Sequence, residues 1–180
     1  MSIKVKVVSG FLYLLLVGCS QHLTIEKQNS KAVSKLTSLG IEAVESEKGV
    51  IIYLPPEINF EESKSDISLD ARRKISEISR ELNKGYLVNR DIEVSGHTNS
   101  NGEADVNIDI SKKRAHAAAE ELVFSNVRLN RITTTWHGEE MPRLPEFDAD
   151  GNRIQENLNL NRRVEFIVLD LSPNLIPFLR

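Results

Sequence analysis

An α/β (α+β) sandwich, with helices packed on one mixed sheet, is the architecture this 180-residue sequence predicts. Helix-period and strand-period runs alternate along the chain. A hairpin pattern precedes the first of the long helices. The most strand-like run of all, RRVEFIVL at 162–169, comes near the end and returns to the same layer. The order that results is hairpin, helix, strand, helix, strand, loop, strand.

Taken in turn, IEAVE and VIIYLP flank the turn-like Ser46-Glu47-Lys48-Gly49, which gives the hairpin, and Pro55-Pro56 closes it. Ser68 reads as an N-cap with Asp70 in the first turn, and Ala71, Ile75, Ile78 and Leu82 recur at helical spacing before Gly85. Ile92 and Val94 alternate with Glu93 and Ser95, a strand over 90–96 with one face buried. A second long helix is expected over 108–124, with Ser111, Ala115, Ala118, Ala119 and Leu122 as its inner stripe. LNRITTTWH at 129–137 is β-rich, and 139–161 reads as a long polar loop.

The amino terminus carries a separate signal. Lys4 and Lys6 precede an uncharged run, residues 7–18, too short for the roughly 20 residues that span a bilayer. It ends in Leu16-Val17-Gly18-Cys19, and Cys19 is the chain's one cysteine, so no intramolecular disulfide can form. This stretch resembles the lipobox of bacterial lipoproteins. The resemblance implies a signal peptide over 1–18, acylation of Cys19 and, with Ser20 following, an outer-membrane destination for a domain facing the periplasm. Residues 19–39 read as the lipidated terminus and a linker, with a short helix near 31–39. As flexible coil such a linker spans roughly 25 Å, and about 70 Å if fully extended. Residues 40–56 form the hairpin lead-in, 57–171 the main domain and 172–180 a tail.

The formal charge of −3, deepened by two once Lys4 and Lys6 are removed, indicates no nucleic-acid partner. No serine sits in a nucleophile-elbow pattern, and the histidines show no metal-ligand spacing with cysteine. Neither catalysis nor a metal or cofactor is expected. Asp148-Ala149-Asp150-Gly151-Asn152 places its glycine two positions too early for a calcium loop and reads as a solvated turn.

One stretch, SGHTNSNGEADVNIDISKKRA at 95–115, raises a chemical question. A helix opening near 108 puts Lys112, Lys113 and Arg114 in its first turns, where the macrodipole is already positive. Such an arrangement suits an anion in the crevice beyond the strand's carboxyl end, and Arg114 can grip a carboxylate bidentately. Thr98, Asn99 and Asn107 add neutral donors and acceptors. The competing reading is internal: Asp109 pairs with Lys113 at i,i+4, and Glu103 or Asp105 satisfies Arg114.

The motifs Gly-His-Thr-x, Asn107-x-x-Ile110-Ser111-x-x-Arg114-Ala115, Gly138-Glu139-x-x-Pro142 and Asn161-Arg162-Arg163-Val164 resemble, in order and spacing, the OmpA-like peptidoglycan-binding domain. Phe60 and SKSDI at 63–67 fit the opening of that pattern. With the lipobox, the chain is similar to small outer-membrane lipoproteins of the Pal and YfiB type, whose domain is βαβαββ. The resemblance implies non-covalent binding of the peptidoglycan stem peptide through the zwitterionic end of diaminopimelate. It assigns the carboxylate-gripping role to Arg114, supporting roles to Thr98 and Asn107, a pocket-lining role to Ser63 and a place near the pocket to Arg162. His97 is implied to be structural.

At position 99 the family's ammonium-accepting aspartate is replaced by Asn99. Exchanging a charged for a neutral hydrogen bond forfeits about 1–2 kcal/mol, or roughly 5- to 30-fold in affinity, unless Glu103 or Asp105 compensates. Two functions are therefore expected to compete. One is a cell-wall tether. The other is a lipoprotein serving a periplasmic protein partner, in signalling, secretion or motility, with peptidoglycan binding weakened or lost.

Overall fold

The computed structural model describes residues 25–54 and 67–171. The chain opens with helix α1, residues 25–38. Strands β1 (Ala43–Ser46) and β2 (Gly49–Tyr53) form the expected hairpin. Then come α2 (Leu69–Leu82), β3 (Ile92–Gly96), α3 (Ala104–Phe124), a 3-10 turn (Leu129–Arg131), β4 (Ile132–Trp136), α4 (Gln155–Asn161) and β5 (Val164–Leu169). Cys19, Ser63 and the tail from 172 lie outside the described residues.

The five strands lie in the order β1-β2-β5-β3-β4. Only β3 and β4 run parallel; the other three pairings are antiparallel. This is the mixed sheet that the alternation of elements predicts, and β5 inserts at its centre because it is apolar on both faces (Val164 to Val168 are all buried or nearly so, Glu165 included). Ile92, Val94, Phe166, Val168, Val50 and Ile52 share one face in register. Against it pack Ala71, Ile75, Ile78 and Leu82 of α2 and Ala115, Ala118 and Leu122 of α3. Ser68 caps α2 as expected, its hydroxyl accepting from the Ala71 amide at 3.1 Å.

The linker expected over 19–39 is not what residues 25–38 form. The helix there is longer than the short one expected, and it packs on the domain, with Ala32 and Leu36 in the core. Its apolar face is narrow because part of the docking is polar. Buried Asn29 accepts from Arg90 Nη1 at 2.6 Å and donates to Asp170 Oδ1 at 3.1 Å, and Arg90 also donates to the carbonyls of Val168 and Leu169. Hydrophobic periodicity does not register such a polar latch. Likewise the loop expected over 139–161 contains α4 and a Phe147–Arg153 bridge closed by the Asp148–Asn152 turn.

Gly96 brings α3 onto the sheet. A Cβ at this position would lie 2.1 Å from the Ser111 carbonyl oxygen, so only glycine allows this approach. Among the described residues, no helix is long and apolar enough to cross a membrane.

Candidate functional site

Among the described residues, the crevice at the carboxyl end of β3 is built by the loop 97–103, the first half of α3 and the chain that leaves β4. Helix α3 begins at Ala104, four residues before the expected start. Lys112, Lys113 and Arg114 are therefore in its third turn, and the conflict with the helix dipole disappears. Lys113 pairs with Asp109 at 2.6 Å, as the internal reading expected, while the Lys112 ammonium lies 4.9 Å from the Trp136 ring centre. Trp136 is a partly exposed residue of the edge strand β4.

Arg114 differs from its two cationic neighbours. It is only 1% exposed. It shares a helix face with Asn107 and Ser111, at i, i+4 and i+7. Burial first, and the nearby charge of Arg162 second, bring its pKa down to about 10. It remains a cation at neutral pH, held where an anionic ligand would be favoured. Arg162 is half-buried and donates to Asn159 Oδ1 at 2.9 Å. Its neighbour Arg163 is spent structurally, with Nε donating to Glu165 Oε1 at 2.6 Å and its other nitrogens to the carbonyls of Asn161 and Met141.

The start of the loop, His97 to Asn99, is buried. The Thr98 amide donates to the Gly138 carbonyl at 2.7 Å, but the Thr98 hydroxyl, although buried, has no hydrogen-bond partner among the described residues. Asn99 is 3% exposed and engaged at both ends: Oδ1 accepts from the Asn101 amide at 3.2 Å, and Nδ2 donates to the Leu158 carbonyl at 3.1 Å. The Asn107 amide group donates to the Asn99 carbonyl at 3.2 Å and to Glu139 Oε2. The Ser111 hydroxyl accepts from the Gly138 amide at 3.0 Å. Thr98, Asn99, Asn107, Arg114 and Arg162, all singled out in the sequence, thus surround one end of the sheet.

His97 points to the other face. It is buried and stacked on His137, with ring centres 5.1 Å apart, and hydrogen-bonded to Ser95 Oγ at 3.0 Å. Burial foremost, then Arg163 and His137, push its pKa down to about 3, so it is a neutral structural imidazole.

Sequence reasoning missed two carboxylates. Glu103 and Asp105, the compensating candidates, are exposed. It is Glu139 and Glu146 that reach the loop. Glu146 takes the Ser100 amide at 3.0 Å and Asn161 Nδ2 at 2.9 Å. Buried Asn161, in turn, accepts from the amides of Arg143 and Leu144 and so ties the segment before α4 to the site. Glu139 lies within a motif the sequence displays; nothing local marks Glu146.

The model of the OmpA family matches residues 59–155. The probable lipoprotein YiaD of Escherichia coli is 27% identical over 149 residues, covering 83% of this chain and 63% of its own length. The peptidoglycan-associated lipoprotein of Mesorhizobium japonicum is 28% identical, covering 72% and 74% respectively. A 120-residue stretch is 30% identical to part of the photosystem I P700 chlorophyll a apoprotein A2 of Gloeobacter violaceus, of which it spans 14%. Among solved structures, a MotB-like protein from Desulfovibrio vulgaris aligns with a TM-score of 0.65 at 23% identity, covering 81% of this chain and 96% of that one. The cell wall anchor of the T6SS from Pseudomonas aeruginosa aligns with a TM-score of 0.63 at 18% identity, covering 79% and 96%. At these identities the structural likeness is one of fold.

Proposed function

This chain belongs to the OmpA family, and from that premise we propose that it is an outer-membrane lipoprotein that binds peptidoglycan non-covalently through the diaminopimelate-containing stem peptide. On this reading Cys19 carries the lipid, and the domain tethers the membrane or an envelope complex to the wall. The observation that carries it is Arg114, a fully buried cation on the Asn107 face of α3, beside a buried Thr98 hydroxyl without a hydrogen-bond partner among the described residues. A guanidinium held on this face has the geometry to recognise a carboxylate through paired hydrogen bonds. Thr98, Asn107 and Arg162 are proposed to line the same pocket, and the family resemblance assigns Ser63, outside the described residues, to it as well. The names of the Mesorhizobium and Pseudomonas proteins, a peptidoglycan-associated lipoprotein and a cell wall anchor, point the same way. Binding and positioning suffice for this role, and no catalytic step is assigned.

Co-sedimentation of soluble residues 20–180 with purified sacculi tests the reading. The wild-type chain is expected to pellet and Arg114→Ala to stay in solution with its fold intact by circular dichroism. Equal pelleting of the two would remove Arg114 from the role. Cys19→Ser is expected to release the full-length protein from the membrane fraction.

A second reading, a lipoprotein that serves a protein partner, is favoured by a different feature. A groove of about 510 Å³ runs between α3 and the edge strand β4, lined by Val123, Leu129 and Ile132 among others, with Phe124 and Leu129 79% and 71% exposed. It lies at the edge of the sheet opposite the β1–β2 hairpin. Loss of a periplasmic complex in Phe124→Asp, with sacculus binding unchanged, would establish this reading beside the first.

A further inference from the structure

We propose that Glu139 accepts the ligand's ammonium group, the role that the family pattern gives to position 99; this rests on the peptidoglycan reading above. The argument is one of elimination followed by fit. Asn99 has no carboxylate, is 3% exposed, and has both ends of its amide committed to Asn101 and Leu158. Glu146 is negative, but it is 9% exposed and its two oxygens serve the Ser100 amide and Asn161. Glu103 and Asp105 face solvent. Among the described residues, Glu139 alone combines a carboxylate, partial exposure and direct attachment to the pocket.

The attachment is specific. Oε2 is held by Asn107 Nδ2, whose other acceptor is the Asn99 carbonyl, and Oε1 has no protein donor among the described residues. One residue earlier, the Gly138 carbonyl takes the Thr98 amide at 2.7 Å, which sets Glu139 next to Thr98. The Thr98 hydroxyl is 4% exposed and lacks a hydrogen-bond partner among the described residues. An ammonium placed between them would donate to Glu139 Oε1 and Thr98 Oγ1, satisfying a buried atom that is otherwise costly.

Spacing also fits a zwitterion. Asn107 and Arg114 stand seven residues apart on one helix face, a rise of about 10.5 Å. Helical side chains lean toward the helix amino terminus, a direction in which a side chain as long as that of Arg114 can close much of the gap. An amino-acid end group can then present its carboxylate to Arg114 and its ammonium to Glu139. Charge is thus kept in the site but moved from the strand-end loop to the loop after β4.

The test uses soluble residues 20–180 and two probes, a tripeptide whose diaminopimelate carries a free amine at its zwitterionic end and the same peptide N-acetylated on that amine. Glu139→Gln keeps an oxygen for Asn107 and removes only the charge. It is expected to weaken binding of the free-amine peptide by about 5- to 30-fold while leaving the weaker N-acetyl binding unchanged; Arg114→Ala is expected to lose both. Wild-type affinity of Glu139→Gln for the free-amine peptide, with Arg114→Ala inactive, would overturn the assignment and leave the pocket standing. Equal loss for both probes would make Glu139 a structural support and overturn it too. If a folded wild-type chain binds neither peptide nor sacculi, the peptidoglycan reading itself falls, and this inference with it.

Discussion

The side-chain amide of Asn99 donates to the main-chain carbonyl of Leu158, 3.1 Å away, and so joins the loop after β3 to helix α4. An aspartate at 99 could still accept from the Asn101 amide, but it would set a carboxylate against a carbonyl oxygen at a buried position. In this chain the amide belongs to the architecture as well as to the pocket.

Asn99→Asp is therefore expected to lose stability, by about 1–3 kcal/mol at neutral pH, and to regain part of it as acidification restores a donor on the protonated carboxyl. Urea unfolding at pH 7 and pH 5 measures both. A variant as stable as wild type at pH 7 would show that the Leu158 bond contributes nothing.

A second outcome concerns helix α1. Arg90 is 2% exposed and donates to Asn29, Asp170 and two carbonyls of β5's end. Arg90→Met removes the latch and leaves Asn29 and the carbonyls short of donors. The expected cost is about 3 kcal/mol, with faster amide exchange in residues 25–38 than in α2 or α3. Uniform acceleration across the chain would mean that α1 and the sheet unfold as one unit. Because the helix takes up residues 25–38, any tether between Cys19 and the folded body is shorter than the sequence suggested: six residues, about 20 Å at full extension.

What the sequence made legible follows from the kind of force involved. Periodicity found α2, β3 and β5 because their stability comes from apolar faces: Ala71, Ile75, Ile78 and Leu82 are all fully buried. It placed the start of α3 four residues late because Ala104 to Asn107 contribute little apolar signal, and Glu103 makes no side-chain cap. It treated residues 25–38 mostly as linker because their anchor is Asn29 on Arg90, a contact across 61 positions. Thr98, Asn107 and Arg114, which stood out in the sequence as motif residues, lie at the crevice beyond β3, and their role as a pocket is part of the proposal. Glu139 stood inside a motif but had no role assigned to it, and Glu146 was not marked at all, since the loop path that brings it to Ser100 and Asn161 has no local pattern.

Gly96 offers a test of the contact that shapes the crevice. Its missing Cβ would meet the Ser111 carbonyl oxygen at 2.1 Å and carbon at 2.9 Å. Gly96→Ala must push α3 outward, loosening the Ser111–Gly138 hydrogen bond at the pocket wall. A loss of about 1–3 kcal/mol in urea unfolding is expected, together with weaker sacculus binding. Full stability in the alanine variant would mean that the helix adjusts freely at this point.

Acid sensitivity is expected to trace to His97. Its folded-state pKa, near 3, lies well below the ordinary value of 6.5, chiefly because the ring is buried and secondarily because Arg163 and His137 disfavour a further positive charge. The unfolded chain therefore takes up the proton first as the pH drops, and the folded state loses ground from about pH 6.5 downward, the decline continuing toward pH 3. The slope approaches 1.4 kcal/mol per pH unit, or about 2 kcal/mol between pH 6.5 and 5, a window above most carboxylate titrations. His97→Gln can still hydrogen-bond Ser95 but has no proton to gain. It is expected to be less stable at pH 7, having lost the stacked ring, yet to show a flatter stability profile from pH 7 to pH 5. Parallel profiles for the two proteins would assign the acid sensitivity to other groups.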